Sequence, residues 1–242
     1  MIELALAFVA LAIAGFAKGI VGLGLPPIAM GLLVLAMSPV EAAATMVVPA
    51  LLTNLLQAFK GPQLSALLKR LWLPLLLSAA TTLAFAGALS ARADIAIAIL
   101  GVLLLVYGVY SLRTPAIALS HRAERWLGPV SGAATGLVTA FTGVSSMPSV
   151  PFLQSIGLGR DAFVQAMGLF FLVSAVALIA ALGVSGSFEG IDPASVVVAS
   201  LAAIGGMAAG SRLRRTLDET LFRRVFLWGL ILLGLYLTVR SI

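Results

Sequence analysis

One lysine, Lys18, stands in the run GFAKGIVGLGLPP (residues 15–27), inside an apolar stretch that extends from Ile2 to Met37. Gly19, Gly22 and Gly24 follow it and permit non-helical backbone, while Pro26 and Pro27 lack amide donors and suit the first turn of a new helix. A helix starting there presents amide groups with partial positive charge, and beside an ammonium group these favour an anion. A second run, TGVSSMPS at 142–149, repeats the arrangement with hydroxyls: Thr142, Ser145 and Ser146 can donate to oxyanions around Gly143. Thr135 stands where the first half has Lys18. Asn54 and Gln57, three residues apart, share a helix face, and Gln165 is a polar residue within an apolar span of the other half. These side chains and glycines are the expected substrate-binding set. Their competing readings are a snorkelling Lys18 and ordinary helix-to-helix hydrogen bonds for the amides.

Other chemistry is poorly served. The chain has no cysteine, and its one histidine, His121, has no neighbouring residue in sequence to make a metal site or a nucleophile–base pair. No enzyme activity, cofactor or metal is expected. The net charge of +6 sits in short tracts beside apolar spans rather than on a polar face with aromatic platforms, which favours membrane topology over nucleic acid.

The elements that must position these residues are membrane helices. Of 242 residues, 61% are hydrophobic and 10% charged, and the mean hydropathy is +1.15. Six stretches are long enough, or nearly so, to cross a bilayer as helices: 42–59, 71–89, 95–112, 162–184, 194–210 and 221–239. Two further stretches, 2–37 and 126–158, are too long for one crossing and are interrupted by Gly and Pro, so each is expected to be a broken hairpin. The first half echoes in the second: Gly15 and Gly19 recur as Gly132 and Gly136, and Gly22, Pro27 and Met46 recur as Gly143, Pro148 and Met167. An internal duplication follows, residues 1–118 and 119–242, each a broken hairpin plus three spans. With 126–158 as a hairpin, Lys60, Lys69, Arg70, Arg113, Arg122, Arg125, Arg160, Arg212, Arg214, Arg215, Arg223 and Arg224 share one side, and Arg92 and Arg240 the other. That is the positive-inside pattern. Three net crossings per half would invert the second repeat relative to the first and place the C-terminus, and by symmetry the N-terminus, outside the cytoplasm. Glu3 stands where a signal peptide needs positive charge, so the first helix is expected to stay uncleaved. The small-residue run GGMAAGS (205–211) could serve contacts within one chain or between the subunits of a homodimer.

The quoted runs, with SPVEAAATMVVP after the first and GRDAFVQAM after the second, resemble the TauE/SafE sulfite exporter family of duplicated membrane proteins. Both halves depart from the family's usual consecutive glycines, with Gly22-Leu23-Gly24-Leu25 and Gly143-Val144-Ser145-Ser146. The resemblance implies transport of sulfite, organosulfonates such as sulfoacetate, or related sulfur-containing or carboxylate anions across the cytoplasmic (inner) membrane. The expectation is therefore a secondary transporter that exports a small anion by alternating access, the two breaks meeting at a midplane site. Its partners would be that anion and the lipid bilayer. The alternative is a non-transporting membrane scaffold or assembly factor.

Overall fold

A computed structural model describes residues 2–22, 25–91, 93–113, 118–189, 191–214, 216 and 218–240. Within them all regular structure is helical: α1 (Ile2–Val21), α2 (Leu25–Leu33), α3 (Pro39–Ala58), α4 (Leu64–Ala84), α5 (Ala88–Ala91), α6 (Ala93–Arg113), α7 (His121–Thr142), α8 (Ser149–Ser155), α9 (Arg160–Val184), α10 (Pro193–Leu213) and α11 (Glu219–Arg240). Helices α3, α4, α6, α9, α10 and α11 are long and apolar enough to cross a membrane, so the chain is a multi-pass membrane protein.

Both Gly/Pro-broken stretches pair a long helix with a short one. At about 1.5 Å per residue, α1 and α7 are about 30 and 33 Å long, whereas α2 and α8 reach only about 13 and 10 Å, too short to cross. The returning arms are thus short helices that do not cross a bilayer by themselves. The second stretch begins earlier than the apolar pattern implied, because Ser120 caps α7 by accepting from the Ala123 amide at 3.3 Å and draws His121–Arg125 into the helix. His121 is therefore the first residue of α7.

The span expected at 71–89 is displaced toward the N-terminus. Helix α4 starts at Leu64 and ends at Ala84, and the chain turns at 85–87. Its early start is tolerated because Arg70 is neutralised: Nε and Nη2 donate to the two Glu124 carboxylate oxygens of α7 at 2.6 and 2.7 Å, and Nη2 also donates to the Ile156 carbonyl at 2.8 Å.

Small residues set the packing. A Cβ on Gly15 or Gly19 of α1 would come within 2.2–2.3 Å of the Ala203 or Met207 carbonyl of α10, and one on Gly206 or Gly210 would meet the Ala12 or Phe16 carbonyl equally closely. Two small-xxx-small faces therefore interlock, so the run 205–211 makes contacts within the chain. The two halves meet in the same way at α7 and α4, where a Cβ on Gly132 or Gly136 would come within 2.2 Å of the Pro74 or Ser78 carbonyl. Thr81 and Thr82 add hydroxyl bonds to the Ala133 and Gly136 carbonyls at 3.0 and 3.2 Å. The main neighbours correspond: α1 with α10 as α7 with α4, α3 with α10 as α9 with α4, α3 with α9, and α6 with α11. More than half of the apolar window in α3 and α9 is buried, against a third or less in the other four spans. Polar residues on α3 and α9 are thereby carried into the centre of the molecule.

Candidate functional site

The first break is held from both sides. Gly22 adopts φ +78°, a conformation open to glycine, and its amide closes α1 by donating to the Lys18 carbonyl at 2.8 Å. Its own carbonyl accepts from Gln57 Nε2 of α3 at 3.1 Å, and the same amide group donates to the Val164 carbonyl of α9 at 2.8 Å. Gln57 thus ties the break to both central helices. Its Oε1 is buried without a partner.

Lys18 lies in the last turn of α1 with 2% of its surface exposed. Its ammonium group donates to Thr53 Oγ1 at 3.2 Å and to Asn54 Oδ1. Thr53 in turn donates to the Pro49 carbonyl at 2.9 Å, which leaves its lone pairs for the lysine. Among the described residues no carboxylate forms an ion pair with Lys18. An ammonium group removed from water costs several kcal/mol unless compensated, and two neutral oxygens compensate only part of that. A site of this kind is complementary to an incoming anion.

A cavity of about 310 Å³ leads to it. Lys18, Gly19, Gly22 and Gln57 line its inner end, and Lys60, Arg160, Asp161 and Arg214 its more exposed end. Four cationic side chains against one carboxylate give the cavity a positive field that raises local anion concentration. A separate gap of about 10 Å³, room for about one water, is lined by Pro26, Asn54, Thr139, Gly143 and Ser145 together with further side chains of α3 and α9. Asn54 lines this gap and touches the lysine: its Oδ1 accepts from Lys18, while its Nδ2 is buried without a partner.

The second break is built like the first but closed. Gly143 caps α7 with φ +70°, and its amide donates to the Thr139 carbonyl at 2.8 Å. Thr142 Oγ1 is occupied with its own turn, donating to the Val138 carbonyl at 2.7 Å and accepting from the Val144 amide at 3.2 Å. Ser145 and Ser146 are both buried, and only Ser145 reaches the gap. Thr135 is fully buried with its hydroxyl unpartnered. The first break therefore borders both spaces, the cavity through Gly22 and the gap through Pro26, whereas the second borders the gap through Gly143 and Ser145.

Two expected residues have structural tasks as well. Gln165 spends its amide on the backbone, donating to the Ala58 and Gly61 carbonyls at 2.8 and 2.7 Å and accepting from the Gln63 amide at 3.1 Å. Gly19 is needed at the α1–α10 crossing in addition to lining the cavity. Gly24 lies outside the described residues. Glu41 is held by Ser38 in a capping box at the start of α3, whereas Asp161, at the corresponding start of α9, lines the cavity.

Thr53, Thr139 and the charged mouth were not in the expected set. Thr139 follows Thr135 by one helical turn and was legible from that spacing. Lys60, Arg160 and Arg214 carry the charge pattern of a cytoplasmic edge, and nothing in sequence separates that task from lining a cavity.

No curated protein and no solved structure matches the chain. A family model described as sulfite exporter TauE/SafE matches residues 7–237. That match takes in both breaks, Lys18, the cavity, five of the six membrane-spanning helices and most of the sixth, and the chain belongs to the sulfite exporter TauE/SafE family.

Proposed function

We propose that the protein is a secondary transporter that exports a small, sulfur-containing oxyanion such as sulfite or an organosulfonate across the cytoplasmic membrane. The observation that carries this reading is Lys18, a buried ammonium group without an acidic partner at the inner end of a cavity with a cationic mouth. The anion would enter from the side bearing most of the Lys and Arg residues, displace Asn54 or Thr53 from the ammonium group, and take the unpartnered Asn54 Nδ2 as a second donor. Gln57 and Gln165 would position the break and the mouth of the cavity rather than bind the anion.

The corresponding packing of the two halves supports an inverted repeat, with the halves moving against each other in alternating access. In that arrangement the cavity is the inward-facing vestibule, the gap beside Gly143 is the closed outward path, and both termini lie outside the cytoplasm. An inside-negative potential favours exit by about 2.3 kcal/mol per charge per 100 mV, so export needs no carboxylate proton carrier. Glu41, engaged in its cap, is expected to be dispensable for flux.

The test is flux of labelled sulfite and sulfoacetate in proteoliposomes under an imposed potential. Saturable, potential-sensitive flux that falls at least tenfold in Lys18→Gln supports the reading. Equal flux in the variant removes Lys18 from the path, and absence of flux for every anion tried points to a scaffold.

A further inference from the structure

A second concavity, about 790 Å³, lies on the outside of the bundle between α3 and α10. One wall is Leu55, Leu56 and Phe59, exposed by 43, 53 and 61%, and the other is Ile204, Met207 and Ala208. Each wall repeats at three- and four-residue spacing, so each is one face of a membrane-spanning helix. The groove has one polar end. Lys60 and Ser211 close it, and Arg212, exposed one turn beyond Ala208, continues the same face.

We propose that this groove binds an anionic phospholipid of the cytoplasmic leaflet, its acyl chain between Leu56 and Ala208 and its phosphate on Lys60 and Arg212. Two observations select this occupant. The apolar walls and the basic rim follow one another along α3 and α10 in the order of a lipid's tail and headgroup, and the rim belongs to the Lys- and Arg-rich side of the chain, which by the positive-inside pattern would face the leaflet that carries anionic lipid. A second copy of the chain is disfavoured by the same rim. Copies related by an axis along the membrane normal would bring Lys60 and Arg212 of both chains together at one level.

The site has a consequence for the cavity. Lys60, Met207 and Ser211 line both spaces, so the bound lipid forms the bilayer side of a wall whose other side is the vestibule. The proposal rests on the groove and not on transport, and it is tested by binding alone.

The full chain is reconstituted in nanodiscs of mixed phosphatidylglycerol and phosphatidylcholine, released into the gas phase, and the retained lipids are counted by native mass spectrometry. Phosphatidylglycerol is expected to be retained at least fivefold over its share in the disc. Lys60→Gln should bring that ratio to twofold or less, and Ala208→Trp, which fills the exposed groove, should remove the retained lipid. Retention in proportion to the disc composition overturns the proposal, as does a preference untouched by both variants. A lipid-free dimer that Ala208→Trp converts to monomer overturns it in favour of a protein partner.

Discussion

The two Gly/Pro breaks have the same architecture and opposite contents. Each ends a long helix at a glycine in the left-handed region, Gly22 or Gly143, and each is followed by a short helix. The first carries Lys18 and opens to a cavity of about 310 Å³, whereas the second carries Thr135 at the corresponding position and borders a gap of about 10 Å³. The glycine faces just before the breaks, Gly15/Gly19 and Gly132/Gly136, do the same packing work in both halves. The two breaks thus share the contacts that hold helices together and differ in their contents. A charge in one break and hydroxyls in the other suit a path that holds an anion strongly on one side and releases it on the other.

Substitutions can separate the shared frame from the divergent site. The largest effect is expected at the crossings: Gly15→Ala and Gly132→Ala each push a methyl group against a backbone carbonyl about 2.2 Å away and should each destabilise the protein by about 1–3 kcal/mol, read as a fall in the unfolding midpoint in detergent. A large effect in one half alone would break the equivalence. At the divergent position, Thr135→Val keeps shape and removes a buried, unpartnered hydroxyl, so stability should rise by about 1 kcal/mol while sulfite flux falls less than in Lys18→Gln. Loss of stability instead would show that Thr135 holds a partner. The smallest contrast lies at the starts of α3 and α9. Ser38→Ala removes a cap whose hydroxyl accepts from the Glu41 amide and should cost about 1 kcal/mol, whereas Gly159→Ser adds a capping hydroxyl to α9 and should gain a few tenths. Midpoints of thermal unfolding read both.

Much of this frame was legible in the sequence, because membrane helices announce themselves by length and hydropathy and because glycines at repeated spacing mark both breaks and crossings. The spans at 42–59, 95–112, 162–184, 194–210 and 221–239 fall on α3, α6, α9, α10 and α11. The displacement of α4 was not legible, since Lys69 and Arg70 read as a loop until Glu124, 54 residues away in sequence, is seen to pair with Arg70. Lys18 stood out as a lone charge, and Asn54 and Gln57 as a shared face. What joins them was hidden: Asn54 meets Lys18 across 36 residues, and Gln57 spans α1 and α9 through backbone carbonyls that carry no sequence signal. The cationic mouth was hidden for another reason, because residues that orient a chain in the membrane look the same whether or not they also line a cavity.

The central claim is that Lys18 is the counter-charge of the transported anion, and equilibrium binding tests it without the complications of flux. Sulfite binding to the purified protein would be measured by calorimetry at fixed ionic strength for the wild type, Lys18→Gln and Thr135→Val. The expected result is a loss of at least tenfold in affinity for Lys18→Gln, equivalent to about 1.4 kcal/mol or more, and less than threefold for Thr135→Val. Unchanged affinity in a folded Lys18→Gln variant would contradict it.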